Sequence, residues 1–248
     1  MNRRSPLAAL LCVLLPVVAA ADPRLDEKVY APYVLKGVGE FEARGATEAG
    51  GALGGAATSV LEAEYGVSDR LSLALVGRME RDATGPMRLD AVGLEAIAAL
   101  GQIPGVGVDA GLYLEYDQGV GGGTSAGEAK LLLAKTKGRF QGLLNLIVER
   151  PFGVPQGEGF ANYGYAASVT WRTIGALRLG AEAFGDLGTD HGMAARGAYV
   201  GPQVKWRGRP ARSPVEIEID AGWLAAVGDS RREAGSQLRL TVELERRF

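Results

Sequence analysis

The sequence predicts an all-β chain, a closed antiparallel transmembrane β-barrel of about 12 strands, and three observations predict it. Segments of about ten residues alternate apolar and polar side chains, which is the length a tilted strand needs to cross a bilayer. The connections between them are short and long by turns. Large aromatic residues fall at the ends of the apolar faces, where a barrel in lipid carries its interfacial rings.

The chain opens on "MNRRSPLAALLCVLLPVVAAA", with Arg3 and Arg4, an apolar run from Leu7 to Val18, and three alanines before Asp22. This pattern predicts a cleaved secretory signal peptide over residues 1–21, leaving 22–248 as the barrel domain. The apolar run is shorter than the ~18 residues of a spanning helix, and no later stretch approaches that length. Cys12, the single cysteine, sits inside the run after Leu11, a poor context for lipidation. Removing the leader removes that cysteine, and with it any disulfide or thiolate metal site. It also removes two arginines and no acid, so the formal charge goes from −2 to −4. Mild acidity argues against a nucleic-acid partner.

Twelve segments follow in order. "YVLKGVGEFEAR" is the first, with Glu40 and Glu42 on its polar face, and "SVLEAEYG" the second, with Glu62 and Glu64. "LSLALVGRMER" returns as the third. "RLDAVGLEAIAAL" is the least regular, because its alternation slips near Asp90. "GVDAGLYLEY", "EAKLLLAK" and "RFQGLLNLIVE" continue the pattern, and in the last of these Leu144 is expected to face lipid and Asn145 the lumen. "YGYAASVTWR", "ALRLGAEAF", "AYVGPQVKW" and "VEIEIDAGWL" come next. "LRLTVELERRF" closes the set, with Leu238, Leu240, Val242 and Leu244 on one face and Arg239, Thr241, Glu243, Glu245 and Arg247 on the other.

An N-terminus in the periplasm puts "VSDR", "GQIPG", "KTKG", "TIGA" and "RGRPARSP" on the periplasmic side. The glycine-rich or polar stretches "GATEAGGALGGA", "DATGP", "DQGVGGGTSAG", "RPFGVPQGEGFAN", "GDLGTDHGMAARG" and "AVGDSRREAGS" then lie outside. Short turns on one side and longer loops on the other are the outer-membrane pattern. The aromatics fit the same register. Tyr65, Phe140, Trp171, Trp206 and Phe248 are expected in a girdle at the turn side, and Tyr116, Tyr163, Tyr165 and Trp223 in one at the loop side. A terminal strand ending in Phe248 is then no sticky edge, because it pairs with the first.

Two features carry a resemblance. The terminal Phe248 resembles the C-terminal signature of bacterial outer-membrane barrels, although Arg246 stands where that pattern usually has an apolar residue. The hairpin "EYGVSDRLSLAL" resembles proteobacterial outer-membrane barrels of this size, the phenol-degradation pathway outer-membrane family among them. The resemblance implies a barrel, outer-membrane lipid and the barrel assembly machinery as partners, and small-molecule traffic as a function.

For an enzyme, the comparison is the outer-membrane phospholipase, a barrel that uses a His/Ser pair. His191, the single histidine, is followed by Gly192 and Met193, so the His-x-Ser arrangement is absent. Ser72 and Ser168 lack a candidate base in strand register, so no catalytic residue is assigned. Asp186, Asp190 and His191 could ligate a metal, but polar turn residues in a solvated loop explain them more simply. "GVGGG" and "GGALGG" lack the Lys-Ser/Thr and helix of a phosphate loop. No cofactor and no metal site is expected.

The inward faces say more. Strands eleven, twelve, one and two would be contiguous and would carry an acidic wall of Glu216, Glu218, Asp220, Glu243, Glu245, Glu40, Glu42, Glu62 and Glu64, offset by Arg44, Arg239, Arg247 and Lys36. Across the barrel, Arg78, Lys130, Arg172, Arg178 and Lys205 are expected to form a more basic side. A transverse field of this kind suits a narrow pore for a small polar or zwitterionic solute. The alternative is a lumen closed by its own salt bridges, which makes a structural or surface-interaction barrel. Twelve strands lie between filled and open barrels, so width does not choose.

Overall fold

In the computed structural model, residues 25–155, 158–192, 197–232 and 234–248 are described; the expected leader, residues 1–21, lies outside them. Twelve antiparallel strands close into one barrel in sequential order, with β12 returning to β1. They are β1 (Val38–Gly51), β2 (Ala57–Ser68), β3 (Leu71–Arg81), β4 (Arg88–Ile103), β5 (Val108–Gly119) and β6 (Ser125–Lys137), then β7 (Phe140–Phe152), β8 (Asn162–Arg172), β9 (Leu177–Thr189), β10 (Ala198–Gly208), β11 (Val215–Val227) and β12 (Ala234–Arg247). The predicted fold class and strand count are therefore observed. Closure runs along nearly the whole of β1, from Val38 opposite Arg247 to Gly51 opposite Ala234.

Alternation sorts the two faces. Leu61, Leu73, Leu75, Leu94, Leu112, Leu114, Leu144, Val169 and Leu240 project outward and are exposed, forming an apolar belt far larger than an ordinary soluble monomer presents. Aromatic side chains rim this belt. Phe140 stacks on Trp171 at 6.2 Å between ring centres at the turn end, and Tyr116 lies 6.3 Å from Phe152 at the loop end. Strand pairs follow one another round the whole wall, as a bilayer interior demands, with local breaks at bulges and at Gly201–Pro202 of β10.

Three expectations are corrected in detail. The strands are longer than ten residues, up to 16 in β4, and absorb much of what the sequence suggested were loops. "DQGVGGGTSAG", for example, is strand at both ends and leaves only residues 120–124 between β5 and β6. The slip near Asp90 is a bulge, since Arg78 pairs with Ala91 and the next residue, Met79, pairs with Leu89. One extra residue resets the alternation without ending the strand.

The third correction matters most. The first strand begins at Val38 and not at Tyr33; residues 25–32 lie inside the barrel, and Tyr33, Leu35 and Lys36 are exposed on the neck that leads from them to β1. Gly37, at φ +74°, reverses the chain from the lumen into β1, a conformation L-residues avoid. Its amide donates to the Gly66 carbonyl at 2.8 Å, and a side chain at Gly66 would collide with the Leu35 carbonyl oxygen. The neck of the segment is thus threaded past the Tyr65–Gly66 corner that the sequence showed as a hairpin end.

Leu144, outward on β7 and opposite Ala167 of β8, tests this register. Leu144→Arg should lower folding stability in lipid by about 2–4 kcal/mol, as expected for a charge near the bilayer midplane. Denaturant titration of vesicle-refolded protein measures it, and a change below about 0.5 kcal/mol would contradict a lipid-facing Leu144.

Candidate functional site: a charged lumen and the segment that fills it

Register converts scattered glutamates into rows. Glu216 of β11 pairs with Glu245 of β12, Glu245 with Glu40 of β1, and Glu40 with Glu64 of β2. Across Ala74 of β3 the row continues through Glu95, Glu115, Glu128 and Glu149 on β4, β5, β6 and β7. Because the row runs perpendicular to tilted strands, it climbs from the turn end at Glu216 to the loop end at Glu149. Beside it, Glu218, Glu243, Glu42 and Glu62 form a second row on β11, β12, β1 and β2. Like charges placed directly opposite in a ladder are destabilising, and here they recur strand after strand.

The structure places all nine residues of the sequence-derived acidic wall in or beside these rows; Asp220 is in the next, opposite Thr241. It divides the residues expected on the basic side. Arg172, Arg178 and Lys205 are consecutive partners on β8, β9 and β10, ending at Asp220, which Lys205 meets at 2.8 Å. Arg78 and Lys130 stand within the acidic sector. Arg78 meets Glu115 at 2.7 Å and Asp117 at 3.0 Å, and Lys130 meets Glu128 at 2.9 Å. Much of the far wall is apolar, with Ile147, Phe184, Tyr199 and Leu224 buried inside the barrel. Lys36, expected to offset the acids, lies on the neck outside β1.

The girdle residues Tyr65, Tyr116, Phe140, Tyr163, Trp171, Trp206, Trp223 and Phe248 are exposed on the outer surface, and Tyr165 is half-buried against Gly185. The Phe248 amide donates to the Gly37 carbonyl at 2.8 Å, so the chain end also clasps the neck of the inner segment. His191 packs on Phe160, and its Nδ1 lies 2.9 Å from Asp190. Asp190 Oδ1 in turn accepts from the Ala161 amide at 3.0 Å, so this pair ties two loops together.

Residues 25–32 complete the lumen by meeting its charges. Asp26 pairs with Arg78, Glu27 with Lys130, and Lys28 with Glu42 and, at 3.2 Å, with Glu243. Arg44 bridges Glu42 and Glu62, the latter at 2.9 Å, and its Nε donates to the Asp26 carbonyl at 3.1 Å. Arg239 donates to the Glu27 carbonyl while its guanidinium lies 4.1 Å from the Phe184 ring centre. Val29 is buried with the apolar wall. Tyr30 lies 4.7 Å from Tyr113, and both hydroxyls donate to Glu95 Oε2. Asn145 grips the Tyr30 peptide from both sides: its Oδ1 accepts from Tyr30 N–H at 2.7 Å and its Nδ2 donates to Tyr30 C=O at 2.9 Å.

Two charges of the segment, Asp26 and Lys28, persist across neutral pH. Burial pushes the Asp26 carboxyl up, but Arg78, Arg44 and Lys130 outweigh it and hold it below its ordinary value, so its contribution is lost only in acid, below the usual carboxylate range. Burial pushes Lys28 down, but Glu243, Glu42, Glu62 and Glu40 outweigh it and hold it well above its ordinary value, so its contribution is lost only in strong alkali.

Sequence reasoning missed Lys28, Tyr30, Asn145 as a clamp, Arg207, and the upper half of the carboxylate row. Glu95, Glu115, Glu128 and Glu149 each sat on a polar face, but only register shows that they are neighbours. Arg207, which contacts Glu216 and Glu245, directly follows the girdle residue Trp206.

No family model matches the chain, and no curated protein matches it. Among solved structures, it resembles the NanC porin, with TM-score 0.56 and 9% identity over 84% of this chain and 100% of that one. It also resembles the KdgM porin in complex with disordered oligogalacturonate, with TM-score 0.53 and 10% identity over 84% of this chain and 99% of that one. At such identities the likeness shows the fold alone.

Asn145→Leu keeps the size of the side chain and removes both bonds to Tyr30. A buried peptide group left without a partner costs ~1–3 kcal/mol. Amide exchange at Tyr30 should therefore accelerate at least tenfold while the β7 and β8 amides stay protected. Unchanged exchange at Tyr30 would show that Asn145 does not hold the segment.

Proposed function

We propose that this chain is an outer-membrane channel for small polar solutes of positive or mixed charge, with residues 25–32 as the gate that occupies its lumen. The observation that carries this reading is the carboxylate row running from one mouth to the other. A barrel needed only as an anchor gains nothing from eight glutamates set along neighbouring strands, whereas a wall of carboxylates draws cations through a pore. The exposed apolar belt with its aromatic rims supports residence in a bilayer. The expected leader at residues 1–21 and the terminal Phe248 support export and insertion by the barrel assembly machinery. The tight turns then face the periplasm and the longer loops the exterior.

The porin structures that share this fold support a channel, and the hairpin likeness to the phenol-degradation pathway family is in keeping with small-molecule traffic. The KdgM structure holds oligogalacturonate, a chain of acidic sugars. The lumen of this chain is itself lined by carboxylates along most of its height, so a polyanion is a poor solute for it. A second reading, a closed structural barrel, is favoured by the ion-paired segment in the lumen. The two differ in whether the segment leaves.

Planar-bilayer recording separates them. Wild type should show low or intermittent conductance, Asn145→Leu a higher open fraction, and both a reversal potential favouring cations in a salt gradient. Changing Glu40, Glu64 and Glu245 to Gln together should move that potential toward zero. Silence in wild type and in Asn145→Leu alike would leave the closed barrel as the answer.

A further inference from the structure

We infer that Glu40, Glu42 and Glu243 form a subsite for the primary ammonium group of a small organic cation, which Lys28 occupies in cis as a tethered stand-in. The inference rests on the channel reading above and adds the chemical class of the solute.

The three carboxylates come from β1 and β12, and each offers an oxygen within 4.8 Å of the others. Glu42 and Glu243 are direct cross-strand partners. The barrel wall itself supplies this trio with Arg44, which is shared between Glu42 and Glu62. The remaining positive charge arrives from outside the wall. Lys28 Nζ contacts Glu42, lies 3.2 Å from Glu243 and 3.9 Å from Glu40, and has the Tyr30 ring centre at 5.0 Å. An ammonium has three donors and favours an aromatic face, and it meets three carboxylates and one ring here.

The barrel does not need this lysine to close, since every strand already has two partners. What needs it is the cradle, because carboxylates left facing each other without a cation are costly. A solute ammonium answers the same requirement. There is also room beside it. A small cavity is bounded by Lys28, Glu243, Thr241, Asp220, Arg44 and Thr58. Thr58 is 8% exposed, and its hydroxyl has no hydrogen-bond partner among the described residues. Withdrawal of Lys28 joins that cavity to the space of its stem and leaves a short alkyl-sized slot ending at three carboxylates.

A tethered group competes with free ligand at an effective concentration in the millimolar range for a short linker. The solute therefore binds by displacing Lys28, which draws the segment off the wall. One ligand thus both fills the site and opens the path.

The test uses protein purified from membranes and n-propylammonium, which carries the atoms that Lys28→Ala deletes. Calorimetry should show at least tenfold tighter binding to K28A than to wild type, and at least a tenfold loss when K28A is combined with E42Q and E243Q. Heat-modifiable migration on gels checks that each variant is a closed barrel. In a second variant, L25C, Lys28 stays in place and the cradle is untouched. Propylammonium should there accelerate maleimide labelling at position 25 at least threefold, while propanol should not. Equal binding to wild type and K28A, indifference to E42Q and E243Q, or displacement of propylammonium from K28A by equimolar Mg²⁺ would each overturn the assignment. If K28A fails to close, the L25C labelling decides alone. Calorimetry does not depend on conduction, so the two readings fail separately. A silent barrel that binds the amine keeps the site and loses the channel, and a conducting barrel that ignores the amine does the reverse.

Discussion

The pairing of β1 with β12 is the constraint from which the rest of the structure follows. A sheet in lipid cannot leave an unpaired edge, because each exposed amide or carbonyl would lack a hydrogen bond in a medium that offers none. Closure therefore fixes one register around the whole barrel. That register sets Glu40 opposite both Glu245 and Glu64, and Glu42 opposite both Glu243 and Glu62. The charge problem inside the lumen is a consequence of the backbone solution at its wall.

The wall answers part of that problem itself. Arg44, Arg78, Lys205 and Arg207 each meet at least two carboxylates of the wall, and Lys130 meets Glu128. The segment at residues 25–32 answers more of it and adds its own acids, Asp26 and Glu27, where Arg78 and Lys130 have donors to spare. Charge is thus matched in detail, with cation to anion on both sides of the contact. Ion pairs of this kind are poor evidence of net stability, since desolvation opposes them. They are better evidence of placement, because a segment shifted by one residue would set Lys28 against Lys130 or the apolar wall and take the Tyr30 side chain away from Tyr113 and Glu95.

The apolar side of the lumen has a different role. Phe184, Leu224, Tyr199 and Ile147 give Val29 a dry surface, while Tyr30 bridges to the carboxylates through its hydroxyl. The inner segment therefore turns one greasy and one charged face to two unlike walls. This asymmetry fixes its orientation, and a uniformly polar pore lining would not have done so.

The barrel was legible in the residues alone because its signals are local. Alternation in "LSLALVGRMER", tight turns such as "VSDR", and Trp171 and Trp206 beside their turns each depend on a few neighbouring side chains meeting lipid, lumen or interface. Even the irregularity at Asp90 showed, as a break in period that a bulge explains. The inward acids of β1, β2, β11 and β12 were legible for the same reason. Only the tertiary structure decided that Glu95, Glu115, Glu128 and Glu149 extend their row, since neighbourhood across strands depends on register and not on spacing. Only it moved Arg78 and Lys130 from an opposing wall into the acidic sector. And only it placed "LDEKVYAP" inside the barrel: a short stretch of mixed charge has no periodicity to announce itself, and its position is chosen by partners up to 212 residues away along the chain.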